Sequence, residues 1–279
     1  MLPLAVTAAV LLVAVLAFVL WRRRVRRRIG QRLRRPAPKL AHPVVLAHGI
    51  MGFDELKIAG IRREYFRGIP AHLSAHGALV HVPRVSPLGS VAQRARELTA
   101  VVNSIDAKKV NLIAHSLGGL DARYAITRLG LAPKVASLVT IGTPHHGTPI
   151  ADLGTSLGDK LGVRLVLDTL GIDVSVLDEL TTVHMQRFNS EVLDARDVWY
   201  ASVSARAARG VHPLLKPSQL LLARQAGDND GMVPAASQRW GELIAEIDAD
   251  HWAQIGWSDS FDAPDLYLRV MQELKARGF

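Results

Sequence analysis

The chain has 279 residues, 49% of them hydrophobic and none of them cysteine, which allows one larger folded domain and excludes disulfides, thiolate metal sites and cysteine nucleophiles. Its formal charge of +9 is lopsided: residues 1–40 hold ten cations and no acid, and subtracting those ten from 34 basic residues leaves 24 against 25 acids, a net charge of −1 for the rest. A body of that balance, with no aromatic interleaving and no recognisable binding module, excludes a broad nucleic-acid interface and leaves nucleic acid out as a partner.

Residues Leu2 to Leu20 form an apolar run broken only by Pro3 and Thr7. At about 1.5 Å per residue it reaches roughly 28 Å, close to the hydrocarbon thickness of a bilayer. The positive charge follows the run instead of preceding it, which favours an uncleaved anchor over a cleaved signal peptide. The sequence therefore predicts a transmembrane anchor over 1–21 and a basic juxtamembrane linker over 22–41, able to meet anionic headgroups through its arginines. The positive-inside rule places the body on the cytoplasmic face of the membrane, an inner membrane in a bacterium.

From residue 42 to 279 short apolar runs alternate with amphipathic stretches, the pattern of an α/β domain with a mostly parallel sheet and helices on both faces. Strands are predicted at Val44 to Ala47, Ala78 to Val82, Val110 to Ala114 and Val135 to Ile141. Helices are predicted from about Ser90 to Ser104 and from Leu117 to Leu129. Residues 148–196 interrupt the rhythm with helical pieces, Gly162 to Leu170 and Val176 to Phe188, and read as a lid or cap insertion. Strand-like runs follow at Val198 to Val203, Leu220 to Gln225 and Leu243 to Ile247, and a last helix at Asp262 to Ala276.

The stretch KVNLIAHSLGG, residues 109–119, places Ser116 where a strand turns into a helix, at the sheet edge where open α/β folds build their sites. Its Ala114-His115-Ser116-Leu117-Gly118 core reads as a nucleophile elbow, with small residues around a serine in strained geometry. His115, Gly118 and Gly119 support that turn. A serine hydroxyl needs an imidazole to take its proton and a carboxylate to orient the imidazole. In Ser-acid-His order, His251 is the chosen base over His212 and His184, and Asp230 the chosen acid over Asp228. The developing oxyanion needs backbone donors. Leu117 supplies one N–H, and the loop His48-Gly49-Ile50 supplies the other from Ile50.

These residues resemble the bacterial triacylglycerol lipase family of the α/β-hydrolase superfamily. LAHGIMGFD resembles its oxyanion loop, YFRGIP the segment that follows, and KVNLIAHSLGG its elbow; IGTPHHGTPIAD, NDGMVP and DHWAQIG resemble later motifs in the same order. The resemblance implies an α/β-hydrolase fold with a helical lid insertion, a triad of Ser116, Asp230 and His251, and oxyanion donors at Ile50 and Leu117. It also implies carboxylic ester hydrolysis on a lipid-like acyl ester through an acyl-enzyme. Acyl transfer on the same triad, or a non-catalytic membrane protein binding lipid or a partner on the same scaffold, are the alternatives. The family's calcium site has an Asp two residues after the histidine; Ala253 stands there, so no calcium and no other metal or cofactor is expected. Oligomeric state is not legible.

Overall fold

Val44–Ala47 (β1) consists of four consecutive buried apolar residues, as a strand covered on both faces requires. The computed structural model describes residues 40–50, 56–58, 61–156, 177–258 and 260–279. β1 is followed by an antiparallel hairpin, Leu56–Ile58 (β2) with Ile61–Arg63 (β3), by Ile69–Ala75 (α1), and by the two-residue strand Val80–His81 (β4). Then come Val91–Ser104 (α2), Val110–His115 (β5), Gly118–Arg128 (α3) and Val135–Ile141 (β6). Pro149–Ser156 (α4), Thr182–Glu191 (α5), Trp199–Arg206 (β7), Lys216–Gln225 (α6), Glu242–Asp248 (β8) and Ala263–Ala276 (α7) complete the described elements.

Six strands form one parallel sheet in the order β4-β1-β5-β6-β7-β8. The period-2 alternation of side chains sorts them between two cores. Val44 and Leu46 enter a cluster shared with Ile113, Val139, Val203 and α7. Val45 and Ala47 enter the cluster on the other face with Leu112, Ala114, α2 and α3. β5 and β6 are buried along their whole length, so they run through the centre of the domain. The edges are blunted, β4 by its brevity and β8 by Glu242, Glu246 and Asp248.

One predicted element is wrong. Leu220 to Gln225 is not a strand but the end of α6, which starts at Lys216 with Pro217 in its first turn. Leu220 is 51% exposed and only Ser218 and Leu222 are buried, a one-sided pattern that a central strand does not have. Three leucines in a row satisfy either template, but Leu, Ala, Arg and Gln are all good helix formers and none is β-branched.

The anchor and linker readings, 1–21 and 22–41, lie outside the described residues apart from Leu40 and Ala41. Among the described residues no helix is long and apolar enough to cross a membrane. Within the insertion at 148–196 the Gly162 to Leu170 piece also lies outside them. What is described there, α4, α5 and the turn Asp178–Leu180, packs Ile150, Leu180, Met185 and Phe188 into a third apolar cluster with Leu117 and Leu120. Thr181 caps α5 by accepting the N–H of His184.

Candidate active site

Between the end of β5 and the start of α3 the chain reverses through Ser116 and Leu117. Ser116 has φ 56°, the one positive value at a non-glycine residue among those described. Such a conformation costs roughly 1–3 kcal/mol and persists only where its surroundings over-determine it. They do so here: Ser116 N–H donates to the Ile141 carbonyl at 3.0 Å, and the Ser116 carbonyl accepts Gly119 N–H at 3.0 Å and the Thr143 hydroxyl at 2.8 Å. Gly118 and Gly119 open α3, and a Cβ on Gly118 would lie 2.6 Å from the carbonyl oxygen of Ala47. Helix α3 can approach β1 this closely only with glycine at that position.

Ser116 Oγ lies 3.0 Å from His251 Nε2, and His251 Nδ1 lies 2.7 Å from Asp230 Oδ2. Asp230 is fully buried and His251 nearly so. The carboxylate is saturated with donors: Oδ1 accepts Met232 N–H at 2.9 Å and Val233 N–H at 2.7 Å, while Oδ2 also accepts the Gln254 amide at 2.8 Å. His251 N–H donates to the Asp230 carbonyl at 2.9 Å, so the acid and histidine loops are joined through their backbones as well. The loop bearing Asp230 does not continue a strand, since α6 precedes it. Ala207 N–H donates to the Asn229 carbonyl at 2.8 Å and ties that loop back to the end of β7.

The opposite wall comes from the loop after β1. A Cβ on Gly49 would meet Ser116 Cβ and the Tyr65 hydroxyl at 2.7 Å each, so only glycine lets this backbone touch the serine. His48 accepts Val85 N–H at Nε2 (3.3 Å), which leaves Nδ1 to donate to the Gly49 carbonyl at 3.0 Å. With that carbonyl engaged, the Ile50 N–H occupies the other side of the same planar peptide. Among the described residues neither Ile50 N–H nor Leu117 N–H has an acceptor. Arg94 braces the loop from beneath. Fully buried and ion-paired to Asp121 at 2.8 Å, it donates to the carbonyls of His48 and Ser86 at 2.6 Å each.

His115 is also fully buried, and its ring lies 4.7 Å from that of His251. Burial, and then the neighbouring His251, hold it well below the ordinary imidazole range, so it is neutral. It accepts or donates at both nitrogens: Nδ1 meets the Tyr65 hydroxyl at 2.7 Å and Nε2 meets Gln254 Oε1 at 3.2 Å.

The rival residues from the sequence lie elsewhere. Asp228 is exposed and pairs with Arg206 at 3.2 Å. His212 receives Leu214 N–H and packs its ring on Trp252, and His184 is exposed on α5. Ala253 is buried with its N–H on Asp250 Oδ1, and among the described residues no group of three His, Cys, Asp or Glu is placed to hold a metal ion. Sequence reading missed Tyr65, Arg94, Thr143 and Gln254 as parts of this site. The first and last stand in YFRGIP and DHWAQIG, yet their partners are 50 and 139 residues away along the chain.

The geometry thus gathers a hydroxyl, an imidazole and a carboxylate at one mouth, beside two backbone donors without an acceptor among the described residues. A family model described as palmitoyl protein thioesterase matches residues 43–179. Triacylglycerol lipase 2 of Saccharomyces cerevisiae is 27% identical over 307 residues, covering 85% of this chain and 92% of the yeast protein. Among solved structures, the mature lipase BlEst2 of Bacillus licheniformis superposes with a TM-score of 0.70 at 21% identity, covering 86% of this chain and 96% of that one, a likeness of fold. The triacylglycerol lipase of Vibrio cholerae is 47% identical over 246 residues, covering 74% of this chain and 76% of that protein. At that identity and coverage, this chain belongs to the bacterial triacylglycerol lipase family, carboxylic ester hydrolases of the α/β-hydrolase superfamily.

Proposed function

We propose that the chain hydrolyses lipid-like acyl esters through an acyl-enzyme on Ser116. His251 Nε2 takes the hydroxyl proton as Ser116 Oγ bonds to the ester carbonyl carbon. The oxygen that gains negative charge is met by the N–H groups of Ile50 and Leu117. As the tetrahedral adduct collapses, His251 returns the proton to the departing alcohol, leaving Ser116 acylated. Water then repeats the sequence: His251 removes its proton, the acid is released, and Ser116 recovers its hydrogen. Asp230 holds His251 with Nδ1 protonated throughout.

The observation that carries this reading is the unbroken hydrogen-bond chain from Ser116 Oγ through His251 to Asp230. The lipid-like acyl group is supported by the surroundings of Leu117, where Ile50, Ile150, Leu215, Met232 and Trp252 join one apolar cluster. The insertion at 148–196 acts in this reading as a lid over that cluster, and residues 2–20 with the arginine arm as the membrane anchor. No step calls for a metal or cofactor.

Replacement of Ser116 by Ala tests the reading. Removing a triad member lowers turnover by roughly 10⁴ to 10⁶, so hydrolysis of a p-nitrophenyl acyl ester should nearly vanish. Labelling by a fluorophosphonate, which needs an activated serine, should vanish with it. Near-normal hydrolysis by Ser116→Ala overturns the proposal.

A further inference from the structure

We infer that Gln254 is a positioning residue, which through His115 and Tyr65 locks the acid and the oxyanion loop into one working geometry; the inference rests on the function proposed above. Five buried groups form a line: Asp230 Oδ2 to Gln254 Nε2 at 2.8 Å, Gln254 Oε1 to His115 Nε2 at 3.2 Å, His115 Nδ1 to the Tyr65 hydroxyl at 2.7 Å, and that hydroxyl to Gly49 N–H at 3.0 Å. Gln254 and His115 are fully excluded from solvent and Tyr65 nearly so.

The direction of every bond in the line follows from its ends. An ionised Asp230 only accepts, so the Gln254 amide must present its NH₂ there and its oxygen to His115. His115 is neutral, so Nε2 carries the hydrogen and Nδ1 accepts from the Tyr65 hydroxyl. The tyrosine oxygen is then free to accept Gly49 N–H. A single amide thereby fixes the tautomer of His115 and the orientation of the oxyanion-loop backbone. It also sets how much of the Asp230 charge is left for His251.

Further contacts join the two loops directly. Arg67 N–H donates to the Ile255 carbonyl at 3.0 Å, and the Trp257 indole donates to the Tyr65 carbonyl at 2.9 Å. The titratable and charged groups facing the line are His251, His48, whose ring lies 5.5 Å from that of Tyr65, and Tyr267, with Asp250, Arg94 and Asp121 beyond them. Asp250 is occupied by the N–H groups of His212, Trp252 and Ala253. None of these groups replaces the Gln254 amide on Asp230 Oδ2.

The test compares wild type, Gln254→Met, Gln254→Leu, Tyr65→Phe and the Tyr65→Phe/Gln254→Met double variant on a p-nitrophenyl ester. Rates are normalised to fluorophosphonate-reactive enzyme and folding is checked by thermal melting. Loss of the amide donor leaves more negative charge facing His251, so the acidic limb of kcat/KM should move upward by roughly 0.5–1 pH unit in Gln254→Met. Gln254→Leu, which likewise removes the donor without adding a charge, should move it by about the same amount. Each variant should lose kcat by about tenfold or more with KM little changed, since small misplacements of reacting groups are costly.

Among the described residues no hydrogen bond joins Tyr65 to Gln254 directly, yet the double variant should lose less than the product of the two single losses. Unmoved pH limbs in both Gln254 variants, or single effects that simply multiply, overturn the inference. If Gln254→Met does not fold, Gln254→Leu and Tyr65→Phe still decide it by the same limb and kcat readouts. Wild type unlabelled by fluorophosphonate, or Ser116→Ala still active, would instead overturn the function proposed above.

Discussion

At the residue scale, the four donors on Asp230 decide what a near-isosteric change does. In Asp230→Asn, Oδ1 still accepts the N–H groups of Met232 and Val233, so the amide oxygen is drawn there and the NH₂ faces His251 and Gln254. A donor against Nδ1 forces the His251 hydrogen onto Nε2, and the base can then no longer accept from Ser116. Turnover should fall about 10⁴-fold with the fold retained; a loss below tenfold in steady-state assay refutes this role for Asp230. Buried histidines give a second prediction. His145 is held well below the ordinary imidazole range by burial and then by Arg123, so the folded state keeps it neutral where the unfolded chain binds a proton. The stability this confers is complete above the unfolded value near 6.5 and is lost as pH falls below it, by up to about 1.4 kcal/mol per pH unit. Asp121, which burial pushes up to about 7 against the pull of Arg94, acts with the opposite sign over much of that window. Comparing urea midpoints of wild type and His145→Gln from pH 7 to 5 cancels it, and the variant should lose less stability on acidification.

At the element scale, what the sequence revealed follows period and length. Val135 to Ile141 is read residue for residue, because five apolar residues, interrupted only by the small hydroxyl residues Ser137 and Thr140, admit few alternatives when a turn precedes and a glycine follows. Helix α2 was legible from its apolar stripe, and the structure adds a cap at its start. Ser90 accepts Gln93 N–H at 3.3 Å, and Ser90→Ala should cost about 1 kcal/mol, seen as a lower urea midpoint with an unchanged slope. Leu220 to Gln225 misled because a short apolar run does not distinguish strand from helix by period. The consequence for the site was small, since the bond from Ala207 to Asn229 returns the acid loop to the sheet edge whichever element precedes it. Ser116, Asp230, His251 and the oxyanion loop were visible in the sequence because each sits in a local motif. Tyr65 and Gln254 stand inside motifs that do not announce their role, and Arg94 stands in none: each acts by bonding to a residue brought close only by folding.

At the scale of the whole molecule, charge separates the chain into two parts. The ten cations of residues 1–40 confront no acid there, while the remainder is nearly neutral. On the anchoring proposed above, such a charge beside a 19-residue apolar run would set the orientation across a bilayer. On the proposed anchoring, the full-length chain in a bacterial host should stay with membranes through an alkaline carbonate wash, and a chain lacking residues 2–20 should leave them. The arginines on the carboxyl side of the run predict that protease added to intact spheroplasts leaves the body uncut, and that lysis exposes it. Cleavage in intact spheroplasts would reverse the orientation without touching the hydrolase chemistry. Release by carbonate would remove the span itself and leave the arginine arm to hold anionic headgroups by charge alone, an attachment that about 0.5 M salt should then break, because screening shortens the reach of such charges to a few ångströms.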